Sequence, residues 1–566
     1  MHTTTKSKWT NWSLLTLASF TLLLSGCGMI PFRDHVDPIP LTMPTEATYF
    51  DVYIKSFDGT KLSATIYQPK LEPGETAPLI IQTHGFGGHR TFDPRSIYGL
   101  FIISGEAAIE AWKQGYWVIS YDQRGFGYSD GSIHLMHPEK EVEDLSSVID
   151  WAEDNMLRVT RDENDDMLIG TMGESYGAAV QILASMNDER IDAIVPVASW
   201  YDLEEAIAPN DHVKGAWGGT LVGLGTVLSF FDFGMALNRE YLSLISGEMN
   251  PQVEADLAIR SPSHYCQQGK SVQADALFMQ GFRDTLFPVN HGVSNWKCAA
   301  KNGNDSRLIA LQDGHILPWP VQSWSGFPLF NTQPNIKCGD KQFSTIDMIV
   351  SWWDLKLKKK PMEQDIPKLC VTLSDDDGQE LVQLTTGGTP QPIRKTEVKL
   401  MQSGWFELFM EPIDIMTSWV TPEDDLRPAS QEETTGGGFR PAFIPVEKIT
   451  EAKLLAGIPK LKANFTTTTD DQEGTAYLAV GVRRNGSQYV EILNDQFTPL
   501  PGDATYEMSL PAIIKQLEPG DVVGVVVQGF TMQYFLDPEG WFSYGEIDGT
   551  IELPYVKATE QLATAH

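Results

Sequence analysis

Cysteine, basic side chains and long apolar runs are all scarce in this chain, and each shortage excludes something. Five cysteines occur in 566 residues, and none stands in C-x-x-C spacing. No H-E-x-x-H stretch is present either, so no metal is expected. Lysine and arginine total 42 against 75 aspartates and glutamates, a formal charge of -33. A surface of that sign repels polyanions, so nucleic acid is not an expected partner. The acidity reads as solubility rather than as steering of a substrate. The apolar run Leu14 to Leu24 is short for a spanning helix, and no internal repeat is visible.

That run sits in a recognisable setting. Lys6 and Lys8 precede it and Ser25, Gly26 and Cys27 follow, so residues 1–27 read as an export signal. The small residues before Cys27 resemble a bacterial lipobox, with cleavage before Cys27 and lipidation of its sulfur. The alternative is a plain secreted protein with an incidental Cys27. Gly28, rather than Asp, resembles the outer-membrane sorting pattern, so the expected location is the cell envelope, on the periplasmic side. Membrane contact would be through the lipid anchor only. Pro31, Pro38, Pro40 and Pro44 make residues 28–45 a stiff tether. Cys266, Cys298, Cys338 and Cys370 remain, an even number in an oxidising compartment; disulfides are expected, and their pairing stays open.

The length exceeds what one hydrophobic core supports, so several domains are expected. Asp51 to Lys55 and Leu62 to Tyr67 flank a Phe57-Asp58-Gly59 turn and read as a hairpin at a sheet edge. Leu79 to Thr83, Tyr116 to Tyr121, Met167 to Gly170, Ala193 to Ala198, Ala276 to Gln280 and Leu308 to Leu311 are short apolar strands. Helical spacing marks Glu139 to Asp154 and Thr345 to Leu357. Such strands separated by helices predict an α/β fold, a parallel sheet covered on both faces, over residues 46–202 and 271–362. Residues 203–270 interrupt the rhythm without a strand and read as a helical cap. From 363 to 566 Thr, Val, Gly and Pro dominate, which predicts a separate β-sandwich. Within it, Glu397 to Met401, Thr475 to Arg483 and Asp521 to Gly529 read as strands, and Thr421 to Phe439 as a mobile insertion.

The chemistry concentrates at Gly173-Glu174-Ser175-Tyr176-Gly177, a G-x-S-x-G pentapeptide between a strand and a helix. A sharp strand-to-helix turn there exposes the Ser oxygen and aims the first helical amides at a developing oxyanion. Ser175 is the candidate nucleophile. A serine hydroxyl needs a base to take its proton and a third group to fix the base. In sheets of this type the chain order is Ser, acid, His. Asp284 follows one later strand and His315 follows the next, Gly314 relieving crowding beside the imidazole. An N-cap for Asp284 and a plain surface position for His315 are the alternatives. His291 follows Asp284 too soon to stand on another strand's loop. Backbone amides of Phe86 and Tyr176 are the candidate oxyanion donors. His84 reads as a brace for its loop, and Asp122 with Arg124 as scaffolding through a mutual ion pair.

At these motifs the chain resembles a known family. Tyr121 to Ser129, Gly173 to Gly177, Asp284 and His315 resemble the α/β-hydrolase core of the X-Pro dipeptidyl-peptidase and cocaine-esterase (CocE/NonD) family. Leu517 to Asp521 and the strand after them resemble its C-terminal jelly roll. The resemblance implies a serine hydrolase of esters or amides without a cofactor, with a helical cap and a β-sandwich over the site. It implies Ser175 as nucleophile, His315 as base and Asp284 as its partner, acting on a small-molecule ester or a peptide. Phe86 departs from the pattern, because the family's esterases often carry a Tyr hydroxyl donor in this loop. The stretch Cys370 to Leu381 matches the jelly roll poorly. An X-Pro dipeptidyl-peptidase and a non-catalytic envelope binding protein on the same scaffold are the alternative functions.

Overall fold

A hairpin opens the fold. Strands β1 (Thr48–Lys55) and β2 (Lys61–Gln68) pair antiparallel. Ser56 donates its amide to Thr60 O across the turn (2.8 Å), and Gly59 supplies the positive φ it needs (91°). The structure is a computed structural model describing residues 36–228, 249–315, 333–374, 376–399, 426–428, 442–467, 474–487, 489–529, 531–534 and 544–556. The expected export signal with Cys27 lies outside these residues, as do the start of the tether and most of Thr421 to Phe439.

Six strands continue the sheet: β3 (Leu79–Thr83), β4 (Trp117–Tyr121), β5 (Ile169–Glu174), β6 (Ala193–Val197), β7 (Asp275–Gly281) and β8 (Ser306–Leu311). Two short strands, β9 (Asn335–Cys338) and β10 (Lys341–Ser344), form a separate hairpin. Then β11 (Leu369–Ser374) and β12 (Asp377–Glu380) return to the main sheet, whose order is β1-β2-β4-β3-β5-β6-β7-β8-β11-β12. Strands β3 to β8 run parallel, and their residues are almost all buried.

Alternation explains how such apolar strands feed two layers. Leu79 and Ile81 face one core with Leu145, Val148, Ile149, Val180 and Leu183 from the helices Glu143–Asn155 and Tyr176–Ser185. Ile80 faces the other, with Ala107, Ala108, Trp352 and Trp353 from the helices Ile103–Lys113 and Thr345–Leu357. The domain is therefore a three-layer sandwich.

Two expectations need correcting. The strand before the pentapeptide runs Ile169–Glu174, later than Met167 to Gly170, so that Gly173 and Glu174 belong to the sheet. The hydrolase core also extends past 362. Leu369, Cys370 and Val371 pair in parallel with Leu308, Ile309 and Ala310, because the outer edge of β8 has unpaired peptide groups that a buried apolar segment can satisfy. This accounts for the poor match of Cys370 to Leu381 to a jelly roll. Disulfides join Cys266 to Cys298 and Cys338 to Cys370.

In the interval 203–270 the described residues form the helices Leu203–Ile207, Gly215–Leu228, Pro251–Ala258 and Pro262–Gln267, with one short 3-10 turn and no strand. No described helix is long and apolar enough to cross a membrane. Among the described residues the C-terminal part consists of β-strands with two short 3-10 turns, Leu493–Asp495 and Met532–Tyr534. One sheet holds the strands Pro390–Lys399, Tyr544–Glu552, Lys460–Thr467 and Ala504–Ser509, and another is built around Thr475–Arg483 and Val522–Gln528. Leu461, Phe465, Ile547 and Ile551 of the first meet Val480, Val482, Val523 and Val525 of the second in one core. The architecture is an α/β-hydrolase core with a helical cap and a C-terminal β-sandwich.

Candidate active site

Ser175 stands between β5 and the helix Tyr176–Ser185 at φ 54° and ψ -112°, a conformation that costs a non-glycine residue about 1–3 kcal/mol. Its neighbours enforce it. A Cβ on Gly173 would approach Thr83 Oγ1 to 2.3 Å and the Gly177 backbone to 2.6 Å, and one on Gly177 would meet the Thr83 and His84 backbones at 2.8 Å. Only glycine lets strand, turn and helix pass so closely. The Ser175 amide donates to Val197 O (2.8 Å), and its carbonyl accepts from Ala178 and Ala179. The side chain lies in a nearly closed site, 7% exposed.

Asp284 is completely buried just past β7. Its Oδ1 accepts from the amides of Leu286 (3.0 Å) and Phe287 (2.7 Å), and its Oδ2 stands 2.7 Å from Nδ1 of His315. Asp284 is therefore not the cap of the next helix, which begins at Val289 behind Pro288; its two amide bonds order the turn between, and its other oxygen meets the imidazole. His315 follows β8, buried edge-on against Phe287 (5.2 Å between ring centres) and Trp217 (5.8 Å). Thr285 donates its amide to His315 O (2.9 Å), so backbone as well as side chains join the two loops. Gly314 (φ 140°) is required there, since a Cβ would fall 2.5 Å from that of Asp284. Because β5 to β8 are parallel neighbours, Ser175, Asp284 and His315 all emerge at the same edge of the sheet.

The loop after β3 carries Phe86. Its ring packs edge-on against Phe126 (5.3 Å) and Tyr176 (5.5 Å), which ties it to the residue after Ser175. Among the described residues neither the Phe86 nor the Tyr176 amide donates to an acceptor. His84 is fully buried: Nδ1 lies 2.8 Å from Gly85 O, and Nε2 accepts from the Gln123 amide (3.0 Å). Burial lowers its pKa to about 4, so a neutral ring links this loop to the one after β4. His291 is held neutral in the same way, its pKa lowered to about 3 by burial and by the nearby Lys214 charge.

The expected Asp122–Arg124 pair does not form. Asp122 binds the guanidinium of Arg90 (2.6 Å), while Arg124 forks onto Asp144 and reaches Asp58 (3.0 Å). Arg124 turns away because Asp144, on the helix Glu143–Asn155, offers both carboxylate oxygens to its planar fork.

Two buried carboxyls escaped the sequence reading. Glu174, inside the pentapeptide, accepts from the Gly85 amide (2.7 Å). Glu141 accepts from the amides of His134 and His137 and from the Tyr176 hydroxyl (3.1 Å), fixing that ring from below. Burial raises both to about 7. An acid in a strand this apolar was the available signal for Glu174; nothing local marked Glu141. Lys214 is also buried, its ammonium donating to Leu286 O (3.1 Å) and its pKa lowered to about 8 by burial. No group of three or more His, Cys, Asp or Glu side chains suited to a metal ion occurs among the described residues.

Residues 58–229 match the X-Pro dipeptidyl-peptidase (S15) family. An uncharacterized 31.7 kDa protein of the traX-finO intergenic region of Escherichia coli is 35% identical over 125 residues, 22% of this chain and 38% of that protein. The chain thus aligns with well under half the length of that relative. Among solved structures, an aminopeptidase from a marine sediment Thaumarchaeota archaeon superposes with a TM-score of 0.61 at 13% identity, covering 94% of this chain and all (100%) of the other. A CocE/NonD family hydrolase from Staphylococcus aureus gives 0.60 at 12%, covering 90% and 94%.

Proposed function

For a chain that belongs to the X-Pro dipeptidyl-peptidase and CocE/NonD family of hydrolases, we propose a serine hydrolase that cleaves the ester bond of a small acyl substrate through an acyl-enzyme. The observation that carries this reading is the 2.7 Å bond from Asp284 to Nδ1 of His315, at the sheet edge where the strained Ser175 also emerges. An imidazole that donates through Nδ1 keeps its Nε2 lone pair for a proton. In the proposed reaction Nε2 takes the Ser175 hydroxyl proton as Oγ attacks the carbonyl carbon. The resulting oxyanion accepts from the amides of Phe86 and Tyr176. His315 then returns the proton to the leaving oxygen, and water repeats the sequence to release the acid. Asp284 holds the ring in the tautomer that donates through Nδ1.

A second reading, cleavage of an amide next to a free amino terminus, is favoured by the family match and by the aminopeptidase neighbour. A non-catalytic binding role is disfavoured by the intact Asp284–His315 pair. We place the protein in the bacterial envelope, tethered through Cys27.

Ser175→Ala tests the assignment. It abolishes p-nitrophenyl ester turnover and fluorophosphonate labelling while leaving the fold intact by circular dichroism. Labelling that persists in the variant rejects Ser175. A side-by-side panel of acyl esters and an X-Pro amide separates the two enzymatic readings.

A further inference from the structure

The β-sandwich reaches into the hydrolase domain at one turn. Between the strands Tyr489–Ile492 and Thr498–Pro501 the chain passes through Asn494 (φ 56°) and Asp495 (φ 55°), two positive-φ residues in succession. That conformation turns Gln496 inward, where it is 5% exposed. Its amide nitrogen donates to two carbonyls of the other domain, Phe282 O and Asp284 O, each at 2.9 Å. Arg283, between them, binds the Asp495 carboxylate through Nε (2.8 Å) and Nη2 (2.6 Å). The turn is itself secured within the sandwich. Gln533 donates to Asp495 O (2.6 Å), and Asn494 Oδ1 accepts from the Ile514 amide (2.9 Å).

These contacts meet the backbone of the loop that carries the acid. The side chain of Asp284 is committed on its other side to Leu286, Phe287 and His315, so the loop is gripped from both directions. We propose that Gln496 is a positioning residue for Asp284, which makes the C-terminal domain part of the catalytic machinery. The proposal rests on the reading of Ser175, His315 and Asp284 as a triad. An isolated acid loop has two carbonyls facing a domain boundary; the Gln496 amide satisfies both and sets where Asp284 meets the imidazole.

Gln496→Leu keeps the bulk and removes the donor. Asn290→Ala is the matched control: it deletes two other bonds between the same domains, to Leu510 O (3.0 Å) and from the Ala512 amide (2.7 Å), on a helix beyond the acid loop. The expected result is a kcat at least tenfold lower in Gln496→Leu, with KM within twofold of wild type and fluorophosphonate labelling slowed in proportion. Asn290→Ala is expected to keep kcat within twofold even where its melting temperature falls equally. An unchanged kcat in Gln496→Leu overturns the proposal, as does an equal loss in the two variants. Should Gln496→Leu fail to fold, Gln533→Leu loosens the same turn from within the sandwich; a lower kcat at constant KM supports the proposal, and an unchanged kcat overturns it. A wild-type protein that no serine probe labels removes the triad reading and this proposal together. A labelled wild type with a fully active Gln496→Leu removes only the proposal.

Discussion

Glu174 and Gly85 are joined by a 2.7 Å bond from the Gly85 amide to the carboxyl, so the residue before Ser175 holds the loop whose next member is Phe86. Both proposed oxyanion donors are thereby referred to one short piece of β5 and its turn. The same carboxyl is fully buried, and burial is the largest cause of its raised pKa.

That burial gives the protein a pH-dependent stability. The ordinary value for Glu is 4.5, and in the folded protein Glu174 and Glu141 are each raised to about 7. The folded state therefore binds these protons more tightly than the unfolded chain. Their contribution is complete below about pH 4.5, declines as pH rises, and is exhausted above about 7. Each group is worth on the order of 3 kcal/mol across that window. Glu174→Gln keeps an acceptor for Gly85 and removes the titration, so its melting temperature falls less than that of wild type between pH 5 and 8. Parallel thermal scans at the two pH values check this.

Asp284→Asn preserves the shape of the acid while weakening its hold on the imidazole. Nδ1 of His315 then faces a side chain that no longer requires its proton, and the ring takes up the wrong tautomer. The expected loss in kcat is roughly three to four orders of magnitude, with little change in KM. Steady-state ester hydrolysis measures it.

Cys266–Cys298 and Cys338–Cys370 each close a loop with a sequence separation of 32. Loop-closure entropy at that length predicts a loss of about 3–4 kcal/mol when either pair is replaced by serine. Urea midpoints of the two double variants check the figure.

The core was readable in the sequence because its signals are local. Short apolar strands such as Leu79 to Thr83 and Ala193 to Ala198 stand between helices, and β3 and β6 lie there within a residue. The hairpin turn at Gly59 was equally plain, since few residues tolerate its backbone. Asp284 and His315 were accessible through chain order alone, and their contact is direct. Other features depend on partners distant in the chain. Nothing in the Asp122-Gln123-Arg124 stretch announces that Arg90 and Asp144 will separate the two charges. The strand Leu369–Ser374 reads as part of the β-rich tail, because its identity comes from the side of β8 it covers rather than from its own composition. Gln496 lies 212 residues from Asp284, and an isolated glutamine carries no motif at all.

The passage from β12 to the sandwich has a mechanical consequence. The main sheet ends at Glu380, and Thr385 and Thr386 already pair with Gly457 and Ile458 of the next domain. Of the few residues between, Leu381 and Leu384 are both 4% exposed. A span so brief, pinned by two buried leucines, leaves no slack for a swinging arm.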